Sequence, residues 1–133
     1  MVHWSLRRLA GGGHSPAWIN RQVNDIWVKR AHEKLFRSRA SYKLMHMDDE
    51  FKFLKRRCTV IDLGCHSGGW SQVAVQRTGV GMGRCLGLVI GVDKTQIEPL
   101  EHHHFVLGDV RDPATLKQVQ GILGDRRAQV VLS

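Results

Sequence analysis

The chain has 133 residues, 42% of them hydrophobic, and a formal net charge of +8. That length allows one domain at most; no apolar run approaches the ~20 residues that span a bilayer, and three cysteines (Cys58, Cys65, Cys85) without C-x-x-C spacing argue against a zinc site or a disulfide framework. Residues 1–57 carry 13 Lys/Arg against 5 Asp/Glu and residues 58–133 carry 7 of each, so the whole excess precedes the first predicted strand, an imbalance that suits a polyanion such as RNA, with a solvated basic surface or a targeting sequence as the competing explanations.

In chain order, residues 1–22 read as a presequence or flexible basic arm. No acid occurs in the first 24 residues, and Arg7, Arg8 and Arg21 are spread among Ser, Ala and Gly, as in a mitochondrial transit peptide. Residues 23–57 read as a basic helical segment that contacts RNA. Asn24 or Asp25 caps a helix to about Lys34, and Ser38 caps a second through about Glu50, burying Leu44 and Met47. Residues 58–133 then alternate strand and helix. The strands are expected at 59–63, 86–92, 104–107 and 128–132. Helices are expected at 70–78 and, after the Asp112-Pro113 cap and N1 pair, to about Leu123. The run Leu86 to Val92 is apolar throughout, as in a buried parallel strand. This alternation predicts an open α/β sheet of strand order 3-2-1-4, with ligands bound outside the carboxyl ends of the strands at the switch between strands 1 and 4. Asp62, Gly64, Asp93, Asp109 and Ser133 all fall at those ends.

The most informative stretch is Val60 to Gln72, where an apolar strand ends at Asp62, a turn rich in glycine runs from Gly64 to Gly69, and a helix begins at Trp70. Glycines suit such a turn because side chains there would keep a ligand from the backbone; a tight βα turn without a ligand is the plainer alternative. The spacing Gly64-x-x-x-Gly68-Gly69 departs from the G-x-G-x-x-G that seats a pyrophosphate on a helix N-terminus. S-adenosylmethionine has no phosphate and needs close backbone and acids for its hydroxyls and amines. Asp62, Asp93 and Asp109 fit that need, which places it ahead of a nicotinamide cofactor.

The stretch DLGCHSGGWSQ resembles the DLGAAPGGWSQ motif of the FtsJ/RrmJ family, ribosomal RNA 2′-O-ribose methyltransferases. Arg37 to Leu44 (RSRASYKL) is similar to the family's RSRAxFKL, Ile90 to Asp93 to the end of its second strand, and Gly108 to Asp112 to its GDxxD segment. The segment Gly91–Leu100 and the ending Ala128–Ser133 look closest to the mitochondrial branch. The resemblance covers about residues 24–133. It implies a Rossmann-like methyltransferase fold, of which these are strands 1–4. It also implies S-adenosylmethionine as cofactor, and an rRNA (uridine-2′-O-)-methyltransferase acting on the large ribosomal subunit or its precursor, in mitochondria or otherwise in a cytoplasmic or nuclear RNA-associated setting. Two departures stand out. Cys65-His66-Ser67 replaces Ala-Ala-Pro, removing a proline and making a more flexible loop the expectation. The sequence also stops at Ser133, one residue before the family's Asp-Met-Ala-Pro, so that a catalytic Asp, a second Lys, a Glu and the last strands are expected to be missing. A bare fourth-strand edge would call for those strands or a partner chain to cover it.

The resemblance gives individual residues their roles. Asp93 would accept from ribose hydroxyls, with a cap or loop acid as its alternative. Asp109 would meet the adenine amino group. Gly68, Gly69 and Trp70 match cofactor contacts, although Trp70 serves equally well as packing of helix on sheet. Lys43 matches the family's catalytic lysine. Methyl transfer is an in-line displacement by a hydroxyl that is a poor nucleophile until its proton is drawn away, and a lysine can orient the oxygen or accept the proton if buried; a phosphate contact is the alternative. Arg37 and Arg39, with Ser38, would hold RNA phosphates. His102-His103-His104 lacks a Cys or acid at ligand spacing, so no metal is expected. His66 lies in the cofactor loop without an assigned role. A protein that binds RNA or assists ribosome assembly without catalysis remains the second functional class.

Overall fold

The computed structural model describes residues 36–84 and 86–133. The presequence or arm at 1–22, the expected helix at 24–34 and Cys85 lie outside the described residues. Helix α1 (Ala40–Phe51) leads into β1 (Thr59–Leu63), α2 (Gly69–Thr78), β2 (Leu88–Asp93), β3 (His104–Leu107), α3 (Pro113–Leu123) and β4 (Val130–Leu132). The strands form one parallel sheet in the order β3-β2-β1-β4. That is the expected topology, with the switch point between β1 and β4.

Strand periodicity sends successive side chains to opposite faces. Val60, Val89 and Leu132 meet Leu44 of α1 and Val73 and Ala74 of α2 on one face. Ile90, Val92 and Val106 meet Val119 of α3 on the other. The result is a three-layer α/β unit in which α1 belongs to the same compact body, Phe36–Ser133, as the sheet.

Several boundaries shift for local reasons. Helix α1 starts at Ala40 with Arg39, not Ser38, in the N-cap position and without a side-chain cap; the Ser38 hydroxyl accepts from the Ala40 amide at 3.1 Å just ahead of it. Leu44 is buried and Met47 only half-buried. Strand β2 begins at Leu88 rather than residue 86 because the Leu86 carbonyl accepts from Arg126 Nη1 at 2.5 Å and Leu86 turns outward. Strand β4 begins at Val130 rather than residue 128. There the Gln129 side chain, not a backbone carbonyl, accepts from the Thr59 amide at 2.6 Å. Asp112 caps α3 as expected, accepting from the Ala114 amide at 2.9 Å, with Pro113 at N1.

Helices α1 and α2 set the two ends of the unit. Both begin beside the carboxyl end of β1, where Trp70 Nε1 of α2 donates to the Ala40 carbonyl of α1 at 2.7 Å. Both end near its amino end, where Arg77 of α2 pairs with Asp49 at 2.8 Å and with buried Asp48 at 3.7 Å.

Candidate cofactor and RNA site

A two-lobed cleft opens at the carboxyl ends of the strands. The first lobe, about 260 Å³, lies between Ser38 and Ala40 of the α1 entry and the turn from Asp62 to Trp70. The second, about 460 Å³, lies over Asp93, Lys94 and Gly108. Leu63, Gly64 and Ser133 line both lobes. Gly64 is therefore the ridge of the cleft. Its φ is +71° and a Cβ there would meet nothing within 4 Å, so the turn demands glycine for its backbone angle while leaving bare peptide open to a ligand.

The other two glycines of the motif serve different ends. Gly68 adopts φ +91°, and a Cβ on it would press on Arg37 Nη1 at 3.3 Å and Ile97 Cδ1 at 3.4 Å. Gly69, expected to contact cofactor, borders the first lobe, but what it requires is packing. A Cβ there would sit 2.7 Å from both Ser38 Cβ and Ser41 Oγ. Trp70 packs against the core cluster as one of its expected uses, borders the first lobe, and also fastens the start of α1.

The three acids at the rim differ in kind. Asp62 is buried at 2% exposure and accepts from Ser71 Oγ at 2.8 Å. Burial raises its pKa, the Ser71 hydrogen bonds oppose the rise, and the Asp93 charge adds to it. Asp93 is partly exposed and uses both oxygens within the fold, accepting from the Thr95 amide at 2.8 Å and from the His66 amide at 2.8 Å. Desolvation pushes its pKa up, but these amide donors and the His66 charge outweigh it, so the carboxylate is held below its usual range. Asp93 thus acts as a loop acid, and lone pairs beyond those two bonds are what it can offer a ribose. Asp109 lines neither lobe. Its carboxylate is forked by Arg111, with Nε at 3.1 Å and Nη2 at 2.7 Å, and Lys94 Nζ lies 3.3 Å away. Those side-chain bonds from Arg111 hold Asp109 well below the usual carboxylate range. A donor from adenine would have to share an oxygen with that fork.

Arg37 is engaged within the fold. Expected on RNA phosphate, it is half-buried, and its guanidinium donates to the carbonyls of Glu98 at 2.5 Å, Pro99 at 2.6 Å and Ser67 at 3.4 Å, while its amide donates to Gln72 Oε1 at 3.1 Å. It clamps the glycine turn to the β2–β3 connection. In the Arg-Ser-Arg triplet only Arg39 is left exposed to solvent. Lys43 is also exposed. It lies three residues after Ala40, on the same helix face, and helical side chains lean toward the N-terminus, here toward the first lobe. An exposed amine on that face can orient an oxygen.

The Cys65-His66-Ser67 departure has a definite shape. His66 takes φ +47° and gives its amide to Asp93. Cys65 is buried, and that burial, with the charges of Asp62 and Asp93, pushes its thiol up to about 12. Its sulfur and the His103 ring both crowd the space beside Gly91, where a Cβ would be 3.0 Å from Sγ and 2.5 Å from Nε2. Burial, with His104 and Arg37 nearby, lowers the His103 pKa to about 4. The three consecutive histidines diverge, with His102 and His104 exposed and His103 half-buried. Among the described residues no group of three or more His, Cys, Asp or Glu could hold a metal.

A family model described as FtsJ-like methyltransferase matches residues 36–133. The chain belongs to the FtsJ-like methyltransferase family. Among curated proteins it is 45% identical to a ribosomal RNA large subunit methyltransferase E from Dechloromonas aromatica, over 90% of this chain and 56% of that relative. It is 43% identical to the protein of that name from Ruegeria sp., over 90% of this chain and 51% of the relative. A crystal structure of a ribosomal RNA methyltransferase from Plasmodium falciparum superposes with TM-score 0.64 at 29% identity, covering 72% of this chain and 54% of that one. The chain thus spans about half the length of the curated relatives it matches.

Proposed function

We propose that this chain carries the cofactor-binding half of an S-adenosylmethionine-dependent methyltransferase acting on a ribose 2′-hydroxyl of large-subunit rRNA. The observation that carries the reading is the position of Gly64, bare peptide on the ridge of a cleft flanked by the acids Asp62 and Asp93. The names of its relatives supply the rRNA substrate class. S-adenosylmethionine, when bound, supplies an electrophilic methyl group. Asp93, kept ionised by its amide donors, would accept from the ribose hydroxyls, Gly64 and Gly68 would admit the ligand to the backbone, and Trp70 would wall the first lobe. Asp109 would meet the adenine end at the price of sharing its Arg111 fork. On the RNA side Arg39 would neutralise phosphate and Lys43 would orient the hydroxyl oxygen.

Of the catalytic set implied by the family motif, these 133 residues contain Lys43. The chain alone is therefore expected to bind cofactor weakly and not to methylate RNA. The run of 24 residues without an acid at the start supports a mitochondrial destination, and among the described residues no helix is long and apolar enough to cross a membrane. The test is calorimetry with S-adenosylmethionine on a protein extended through the family's later motifs. Asp93→Ala should weaken binding by roughly 1–3 kcal/mol, the scale for hydrogen bonds to a charged group. Tritiated-methyl transfer to large-subunit rRNA by that protein, abolished by Lys43→Ala with cofactor affinity kept, would complete the case. Equal cofactor affinities for wild type and Asp93→Ala would remove Asp93 from the site. Cofactor and RNA binding without transfer would favour a role in ribosome assembly.

A further inference from the structure

Seven cations gather at the end of the sheet opposite the cleft. Lys52, Lys55, Arg56 and Arg57 follow α1, Arg84 lies in the turn before β2, and Arg126 and Arg127 precede β4; all seven are exposed. Backbone bonds hold these segments together at the amino ends of the strands. The Arg57 amide donates to the Thr78 carbonyl at 3.1 Å, the Leu88 amide to Cys58 at 3.2 Å and the Gln129 amide to Thr59 at 2.9 Å. Arg126 reaches across to the Leu86 carbonyl, and the Arg56 guanidinium lies against the turn at Gly79.

Among the described residues none of the seven is in an ion pair; the pairs that do form use Arg77, Lys94, His102 and Arg111. Among the described residues the acids that could answer them are few. Asp48 and Asp49 are taken by Arg77, leaving Glu50 and Asp125 at this end. Unpaired like charges held together repel and lower stability, so a concentration of this size calls for an anionic partner.

We infer that the amino end of the sheet is a second RNA-binding surface, one that takes the sugar–phosphate backbone of the substrate RNA at a distance from the cleft. Five of the seven cations are arginines, whose planar fork matches phosphate oxygens. Among the described residues the large apolar side chains exposed at this end are Phe51, Met82 and Leu86. That is too little for the desolvated apolar core of a protein interface, while Phe51 offers a ring face for an unstacked base. The five residues of β1 alone separate the two ends by about 16 Å. An RNA that reaches both must be folded or must wrap the domain, and the far surface therefore selects for a structured substrate without reading sequence.

The inference rests on rRNA being the substrate, and its test keeps the two apart. Filter binding of a transcribed large-subunit rRNA fragment is measured against salt concentration for the full chain and for two variants. Lys52→Gln/Lys55→Gln/Arg84→Gln changes side chains with no hydrogen bond or ion pair among the described residues, and Arg126→Gln/Arg127→Gln tests the other side of the patch. The triple variant should reduce the slope of log affinity against log salt by roughly two to three, at about 0.7–0.9 per phosphate. The double variant should reduce it by one to two. Calorimetric titration with S-adenosylmethionine should match wild type in both. A slope unchanged in the triple variant at wild-type melting temperature overturns the inference. So does loss of binding to polyglutamate with RNA binding intact, which would assign the patch to an acidic protein. If wild type itself fails to bind the rRNA fragment, the substrate reading and the inference fall together; if wild type binds and the variants match it, only the inference falls.

Discussion

The two lobes of the cleft are built by opposite means. Around the glycine turn, a buried carboxylate is tied to a buried serine, three carbonyls share one guanidinium and two glycines abut neighbouring side chains. At the margin of the second lobe, Lys94, which lines it, meets Asp109, which does not, and Arg111 forks the same carboxylate; both cations are largely exposed. The buried Asp62–Ser71 bond is costly to break because the abandoned partner stays desolvated, and the Arg37 clamp, although exposed at Glu98 and Pro99, ties three carbonyls at once, whereas exposed ion pairs contribute little and are screened by salt. The first lobe is a fixed mould and the second an adjustable one, and substitutions should reveal the contrast.

The largest effect is expected at Gly69. Alanine gains about 1 kcal/mol in helix propensity at most, but its Cβ would be 2.7 Å from Ser38 Cβ and Ser41 Oγ. Overpacking of this kind costs roughly 1–3 kcal/mol. Urea denaturation of Gly69→Ala should show a net loss, and an unchanged midpoint would mean that the α1 entry gives way freely.

Next comes Arg37. Arg37→Ala should lower S-adenosylmethionine affinity roughly tenfold, about 1.4 kcal/mol, by loosening the turn at Ser67, and should leave the salt slope of RNA binding intact. Arg39→Ala should do the reverse. If Arg37→Ala reduces the slope by about one while sparing the cofactor, the guanidinium holds phosphate after all.

His103 sets a pH dependence. Its folded pKa of about 4 lies below the usual 6.5, so the unfolded chain binds the proton more readily. Stability then rises with pH through this window and is lost as pH falls from about 6.5 to about 4. Discounted for its partial exposure, the loss is on the order of 1–2 kcal/mol. His103→Leu should flatten the urea midpoint between pH 7 and 5; identical slopes would place the ring in solvent.

The smallest effect is expected beside the adjustable lobe. Arg111→Ala should leave the melting temperature unresolved from wild type, yet free Asp109 and make cofactor affinity less sensitive to salt. A clear drop in melting temperature would show that the surface pair is structural.

Much of this was legible in the sequence. Strand β1, the Asp112-Pro113 start of α3 and the strand order follow from apolar runs and turn residues, which are local signals. Asp62 and Gly64 were legible because strand ends and positive-φ turns have their own residue preferences. The direction of Arg37 was not, since nothing in Arg-Ser-Arg says which arginine turns inward; that depends on carbonyls 61 and 62 residues away. Asp48 was hidden among three consecutive acids, although it is buried and accepts from the Leu54 amide at 2.7 Å. The pairing of Asp109 with Arg111, two residues apart, was within reach of the sequence. It was obscured by the family resemblance, which directs attention to adenine.

The Arg37 clamp also bears on the order of folding. Contacts across about sixty residues carry a large loop-closure entropy and form after local ones. The α1–α2 pair and β1 can assemble while the connection after β2 is still free, and the guanidinium finds its carbonyls only once β2 is in place. The glycine turn is therefore among the last parts to set. Damage to the clamp should speed unfolding and leave the folding rate nearly unchanged. A chain emerging from the ribosome would acquire its fold well before it acquires a finished cleft.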